Sequence, residues 1–193
     1  PHRLKNTSQT MDQLVRNDRA ILLRNALIDT GAESVKIPDE LRSKGDPGSY
    51  IVQARGAVDA TFRAALIEAK AEIISYVPNN AYLVRLPGGA KKLAENKQVQ
   101  SVLPYEPYYK LDTDLLAMAL DQKPLTPDKM LRVGLFPGQR DAAVKALKGK
   151  AQIIGEDLKS SPFGPELIVA SADLIQLANL PQVQEIEPFY ERE

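Results

Sequence analysis

The side chains that most often perform catalysis or hold a metal ion are scarce in this chain of 193 residues. It has one histidine, His2, and no cysteine. A catalytic triad needs a histidine beside a serine, and protein metal sites are often built from several histidines or cysteines. The 25 acidic residues are spaced like solvated helix and loop residues. The sequence therefore predicts no catalytic residue, no cofactor-binding residue, no metal site and no enzymatic activity of the chain itself.

Charge and hydropathy exclude two classes of partner. The chain has 25 Lys and Arg against 25 Asp and Glu, and neither sign gathers into a long block. Because proteins that bind nucleic acid carry a basic patch or stripe, we expect no nucleic-acid partner. The apolar runs are far shorter than the roughly 20 residues that span a bilayer, so we expect no membrane partner. With 44% hydrophobic residues, the chain can form the cores of two small domains.

Two stretches of the chain repeat each other in the same order. Residues 70–74 return as residues 150–154, and residues 93–105 return as residues 177–189. The offset is 80 residues in the first pair and 84 in the second. A constant order with a small drift indicates one duplicated unit, with the added residues in the longer loop at 156–165. A period this long predicts tandem domains rather than a solenoid.

Each copy alternates strand and helix patterns in the order β-α-β-β-α-β. The turn residues Pro78-Asn79-Asn80 predict a hairpin between the two middle strands of the first copy. This order predicts an α+β fold of two tandem ferredoxin-like domains with antiparallel sheets, each with both helices on one face. The predicted strands are residues 50–54, 73–77, 81–86 and 98–103 in the first copy and 131–136, 151–155, 166–170 and 182–187 in the second.

The rest of the chain reads as an arm and linkers. A helix is predicted over residues 7–30, because Thr10 and Gln13 have the spacing of a capping box and apolar residues follow as far as Gly31. We therefore divide the chain into a helical arm with its linker, a first domain, a second linker and a second domain. These segments are residues 1–48, 49–111, 112–129 and 130–193.

One face of the first sheet is left without helices by this arrangement. Successive side chains of a strand point to opposite faces, and the uniformly apolar sets should meet the helices. That places Ile51, Gln53, Leu83 and Arg85 on the other face. Their mixture of apolar and polar groups is typical of a protein interface, so we expect a cover. The cover is a partner protein, the neighbouring repeat or the helical arm.

Several motifs narrow the choice among the many functions of ferredoxin-like domains. Together they resemble the propeptide of subtilisin-like serine proteases, and over nearly the whole chain they resemble the region that precedes the catalytic domain in large secreted bacterial subtilases. The motifs are YIV at 50–52, VPNNAYLVR at 77–85, the helix, strand and aromatic tail at 93–109, and the segments 23–30 and 161–165.

The resemblance implies a partner and a mode of action. Such propeptides template the folding of the protease domain and inhibit it, with the segment after the fourth strand lying along the substrate cleft. Here the partner would be a subtilisin-like protease domain downstream of Glu193, with the face defined above as its docking face. The cleft-binding candidates are Tyr105, Glu106, Tyr108 and Tyr109 in the first repeat and Phe189 and Tyr190 in the second.

The first of these tails is not a free end, because it runs on into the second repeat. Which copy is inhibitory therefore stays open. The family also implies a secreted or cell-envelope protein whose signal peptide has been removed. The alternative is a paired ferredoxin-like regulatory or protein-interaction module that inhibits no protease.

Overall fold

The computed structural model describes residues 10–31, 35–157 and 164–190, and the chain divides into two compact units. The first unit consists of residues 1–36 and 43–105, and the second of residues 37–42 and 106–193. The predicted domain borders therefore change. The arm belongs to the first unit, which ends at Tyr105 rather than at Leu111, and residues 37–42 and the predicted linker 112–129 belong to the second unit.

The first unit is a ferredoxin-like domain preceded by a short arm. The arm contains α1 (Met11–Arg16), β1 (Ala20–Leu22) and β2 (Leu27–Asp29), and the domain contains β3 (Ser49–Ala54), α2 (Ala60–Glu68), β4 (Glu72–Val77), β5 (Ala81–Arg85), α3 (Lys91–Ala94) and β6 (Val99–Pro104). Strands β3 to β6 form an antiparallel sheet in the order β4-β5-β3-β6, the order expected for this fold.

Both helices of this unit pack on one face of the sheet. Phe62 and Leu66 of α2 and Leu93 of α3 belong to one buried cluster with Val52 and Val84 of the central strands. Asp59 starts α2 by accepting a hydrogen bond from the Phe62 amide at 2.8 Å. The predicted assignment of the apolar set to the helix side is therefore confirmed.

The second unit repeats the same fold. The elements are a 3-10 helix (Asp39–Leu41), α4 (Pro107–Lys110), α5 (Thr113–Leu120), β7 (Leu131–Leu135), α6 (Arg140–Leu147), β8 (Gln152–Asp157), β9 (Glu166–Ala170), α7 (Leu174–Ala178) and β10 (Val183–Pro188). The sheet is antiparallel in the order β10-β7-β9-β8, so the predicted α+β tandem of ferredoxin-like domains is confirmed.

Two segments that were predicted to be linkers are built into the second unit. Leu41 of the 3-10 helix is 1% exposed and Leu115 of α5 is 1% exposed, so both contribute to a core. Leu111 forms a parallel bridge with Ile186, which covers the outer edge of β10 at that point. The segment 112–129 is thus not a plain linker, because α5 packs against α7.

The prediction of one helix over residues 7–30 is wrong. The capping box at Thr10 and Gln13 is present, but α1 ends at Arg16 and the apolar run forms the hairpin β1-β2, with Ile21 paired to Ile28. A long apolar run fits a helix or a buried hairpin equally well, and packing on a sheet decides here. Residues 7–9 lie outside the described residues.

Candidate functional site

The predicted docking face of the first unit is covered by the chain's own arm. Ile51 and Gln53 are 0% exposed and Leu83 is 4% exposed, while Arg85 is half-buried. The prediction of an open docking face is therefore wrong for the three buried residues. The arm hairpin lies over them, which was one of the three covers expected from the sequence.

Gln53 is the polar residue on which the arm is anchored. Its amide nitrogen donates to the Ala20 carbonyl at 3.3 Å and to the Asn79 carbonyl at 3.1 Å. Its amide oxygen lies 3.4 Å from Ser101 Oγ, which donates to it. A fully buried glutamine is tolerated only when its polar atoms are hydrogen-bonded, so Gln53 fixes the position of β1 on the sheet.

The turn Pro78-Asn79-Asn80 is also part of this anchor. It joins β4 to β5 as predicted, with Val77 paired to Ala81. The Leu22 amide donates to the Pro78 carbonyl at 2.6 Å, and Asn79 Nδ2 donates to the Asn17 carbonyl at 3.1 Å. The turn therefore holds both ends of the arm's first strand, a role that no sequence signal indicated.

The first predicted cleft-binding tail is folded into the protein. Tyr105 and Glu106 are each 7% exposed, and Tyr108 and Tyr109 are half-buried in α4. Burial, followed by the nearby carboxylate of Glu106, raises the pKa of Tyr109 well above its usual value. This segment cannot lie extended in a protease cleft while α4 is folded, so the prediction is corrected for these four residues.

The second predicted tail starts at the surface. Phe189 is half-buried and Tyr190 is 72% exposed. The Arg132 guanidinium lies 5.6 Å from the centre of the Phe189 ring, and Lys129 Nζ lies 5.9 Å from the centre of the Tyr190 ring. Cations at such distances interact favourably with aromatic faces. Residues 191–193, which include the predicted junction at Glu193, lie outside the described residues.

Arg132 also lies on the sheet face of the second unit that is opposite its buried core. It pairs with Ile168 on one side and with Glu187 on the other, and its Nε lies 3.6 Å from Glu166 Oε2. The following row contains Glu185, whose Cγ lies 2.9 Å from the position that a Cβ on Gly134 would take. We call Arg132, Glu166, Ile168, Glu185 and Glu187 the second-unit face; all five are half-buried.

A shallow groove lies on the surface of the second unit. It has a volume of about 500 Å³ and lies between α6 and the edge strand β8 of the second unit. Val144, Leu147 and Ile153 supply its apolar lining, and Lys145 and Lys148 line it as exposed cations. This groove was not predicted from the sequence, in which Ile153 and Ile154 look like ordinary strand residues; the structure shows both exposed in an edge strand.

Metal-ligating clusters and membrane-spanning helices are both absent from the described residues. No group of three or more His, Cys, Asp or Glu side chains within residues 10–31, 35–157 and 164–190 is placed to hold a metal ion. None of the helices in these ranges is long and apolar enough to cross a membrane. His2 lies outside the described residues. The features that the described residues do form are surface features: the charged second-unit face, the exposed aromatic tail and the groove beside α6.

The fold places the chain in a broad class, the proteins built from tandem ferredoxin-like domains. Within it, the chain belongs to the family described as Domain of unknown function (DUF8729), whose model matches residues 3–106. The first unit, including its arm, ends at Tyr105, so its end agrees with the end of the matched range. No curated protein and no solved structure matches the chain. The arm is thus part of the family's domain rather than an addition to it.

Proposed function

We propose that this chain is the non-catalytic N-terminal pro-region of a secreted bacterial subtilisin-like serine protease. It acts as an intramolecular chaperone and inhibitor, and the second unit carries the docking. The observation that carries this choice is the contact between Arg132 and Phe189, 5.6 Å from guanidinium to ring centre. It joins the second-unit face directly to the exposed tail.

The geometry of the second unit suits two-point binding. A sheet face places its side chains on rigid strands, and the tail continues from β10, whose last residue is Pro188. The Phe189 amide donates to the Met130 carbonyl at 3.0 Å, so the tail leaves the sheet next to the start of β7. A partner that binds the face would therefore meet Tyr190 at its rim, and aromatic residues are enriched at such interfaces.

The first unit has a different part in this proposal. Its corresponding face is occupied by the arm, and its tail is folded into α4, so neither is available to a protease. We assign it a scaffolding role. Most of the motifs that resemble propeptides lie in this unit, so in this proposal the duplicated module keeps those motifs in one copy and the docking surface in the other.

The decisive experiment measures inhibition of the cognate catalytic domain by the full chain. We expect the inhibition constant to rise about tenfold or more for Ile168→Lys and for Tyr190→Ala, since one lost interface anchor costs about 1.4 kcal/mol or more. The matched control is Ile67→Lys, on an exposed apolar residue of α2 that is 66% exposed. It should inhibit like the unaltered chain.

Two outcomes contradict the proposal at different points. If micromolar unaltered chain leaves the turnover of the protease unchanged, the inhibitory function is wrong. If the chain inhibits but Ile168→Lys and Tyr190→Ala inhibit equally well, the function stands and the docking site is wrong. Circular dichroism of each variant shows that the fold is retained.

The groove beside α6 favours a second candidate, a regulatory module that binds a small molecule. Its volume of about 500 Å³ lies within the usual range of ligand sites, which is about 300–1,000 Å³. A ligand that binds only the folded chain raises its melting temperature. A screen of anionic metabolites, chosen to match Lys145 and Lys148, would therefore separate this candidate from the protease inhibitor.

A further inference from the structure

Lys110 is a lysine in an unusual setting. It is the last residue of α4 and is only 4% exposed. Its Nζ donates one hydrogen bond, to the Leu180 carbonyl at 2.9 Å. Leu180 lies two residues beyond the end of α7. That carbonyl also accepts from the Val183 amide at 3.1 Å. A charged ammonium has three donors, so a single acceptor leaves it poorly satisfied when it is buried.

Among the described residues, no ion pair compensates for the burial of Lys110. Tyr108 and Tyr109 are the other ionisable groups of α4, and Glu106 precedes its first residue. The ionisable groups on β10, which packs against α4, are Glu185 and Glu187. The helix α7, which also packs against α4, contains no ionisable side chain, and Asp173 caps its far end. Burial alone acts on Lys110 and lowers its pKa to about 7.

Lys110 lies in the segment that follows the border between the two units. The first unit ends at Tyr105, so α4 is the first element of the second unit after the border. It is only four residues long and is held by its packing on β10 and α7. A helix this short has little stability of its own. The Lys110 contact with Leu180 is therefore a side-chain polar anchor of the connecting segment, beside the backbone bond from the Asp112 amide to the Ile186 carbonyl at 2.9 Å.

We propose that Lys110 is a pH-sensitive anchor of the connecting segment 106–112, tight when its amine is neutral and looser when it is protonated. This inference does not depend on the proposed function. In the closed state the buried amine is satisfied by one carbonyl, and in the open state the side chain is solvated and readily takes up a proton.

The direction and size of the effect follow from proton linkage. Lys110 titrates at a pKa of about 7 in the closed state, whereas a solvated lysine titrates near pH 10.4. The open state therefore binds more protons between these values, and opening becomes more frequent as the pH falls through this range. Between pH 9 and pH 7 the opening constant should rise about 50-fold, and below pH 7 it should level off.

The test uses hydrogen exchange of the full chain at pH 7, 8 and 9, corrected for the intrinsic exchange rate. The amides of α4 and Asp112 should lose protection about 50-fold from pH 9 to pH 7, while those of β7 change little. The change Lys110→Met keeps a side chain of similar length without the charge, and its α4 amides should show no such dependence. Lys145→Met, on an exposed lysine, is the matched control and should behave like the unaltered chain.

A second measurement tests the anchor directly. Lysine labelled with ¹³C at Cε reports each pKa by NMR, and one resonance should titrate near pH 7 and vanish in Lys110→Met. If every lysine titrates above pH 9.5, or if Lys110→Met keeps the full pH dependence of exchange at α4, the proposal is wrong.

Discussion

The two ferredoxin-like units of this chain differ most at the sheet face opposite their helices. In the first unit this face is formed by Ile51, Gln53 and Leu83, which are buried beneath the hairpin β1-β2. In the second unit the corresponding face carries three carboxylates and one guanidinium, with Ile168 between them. The element that precedes the second sheet is α5, which packs against α7 instead of forming such a hairpin.

The difference shows how a duplicated domain can divide its functions. The helix side of each sheet is a closed apolar core, and it must stay apolar for either unit to fold. The opposite side must be equally free of unpaired charge where an arm covers it, as in the first unit, but it can carry charged residues where it meets solvent, as in the second. Similar sequence in the two copies therefore reports a shared fold, whereas the chemistry of this one face separates a buried face from a charged, half-buried one.

The largest expected effect comes from placing a charge on this face in each unit. Leu83→Asp should lower the free energy of unfolding by about 3 kcal/mol or more, because Leu83 is 4% exposed and the carboxylate would be buried beneath the arm. Ile168→Asp should cost about 1 kcal/mol at most, because Ile168 is only half-buried. Urea denaturation of the full chain, read separately for each unit, measures both.

Equal losses in these two variants would contradict the contrast between the units. A small loss in Leu83→Asp would show that the arm leaves the sheet readily, so that the first unit's face is available after all. Exchange protection of the β1 amides in the same variant distinguishes a detached arm from an unfolded sheet.

The next effect concerns the polar anchor of the arm. Gln53→Leu fills the same space but leaves the Ala20 and Asn79 carbonyls without their donor, so we expect a loss of about 1–3 kcal/mol. The loss should appear first as faster hydrogen exchange in β1 and β2. The matched control is Gln152→Leu in the second unit, an exposed residue of β8, which should leave exchange in both strands unchanged.

Much of the fold could be predicted because the repeat shows the β-α-β-β-α-β order twice in one chain. The strands beginning near Ala81 and Gln98 alternate clearly, and Pro78-Asn79-Asn80 left little choice of connection. The arm was mispredicted because the run around Ile21 and Leu22 has no polar residue to reveal a period of two. Whether such a run is helix or strand depends on a sheet more than twenty residues away.

The site was harder to predict because it depends on which distant segments of the chain pack together within each unit. Alternation correctly placed Gln53 and Leu83 on the side away from the helices, but it could not show that the arm lies there. Likewise, the sequence does not show whether an aromatic segment such as Tyr108-Tyr109 projects into solvent or forms a packed helix, as it does in α4. Burial of Lys110 is decided entirely by packing, so the sequence contained no sign of it.

A smaller, pH-dependent effect is expected in the loop before the first sheet. The Asp46 carboxylate accepts from the Tyr50 hydroxyl at 2.6 Å and from the Gly48 and Gly88 amides at 2.8 and 2.9 Å. These bonds, that of Tyr50 first, lower the pKa of Asp46. Burial and then the Asp46 carboxylate raise the pKa of Tyr50 to about 12.

The two shifts predict loss of stability at both ends of the pH range. Because the carboxyl pKa is lowered, its contribution is present above about pH 4 and is lost as the pH falls below it. Because the phenol pKa is raised, its contribution is present below about pH 10 and is lost as the pH rises toward 12. Asp46→Ala should cost about 1 kcal/mol at pH 7 and flatten the acid limb of a melting-temperature profile. Leu131→Met, at the start of the second sheet, should leave the shape of that profile unchanged.

The smallest effect sharpens the comparison at two positions that the repeat aligns, Tyr76 in β4 and Glu156 in β8. The Tyr76 ring lies edge to face with Tyr82 at 6.1 Å between centroids, so Tyr76→Ala should cost about 1 kcal/mol. Glu156 accepts two hydrogen bonds of 2.9 Å from Arg140, but the pair is exposed to solvent. Screening by water and the ordering of two long side chains offset the attraction, so Glu156→Gln should leave the denaturation midpoint unchanged. A clear drop in the midpoint of Glu156→Gln at low salt, absent at 1 M salt, would show that the Arg140–Glu156 pair stabilises the second unit. The edge strand β8 would then be stabilised by charge, whereas the edge strand β4 of the first unit is stabilised by aromatic contact.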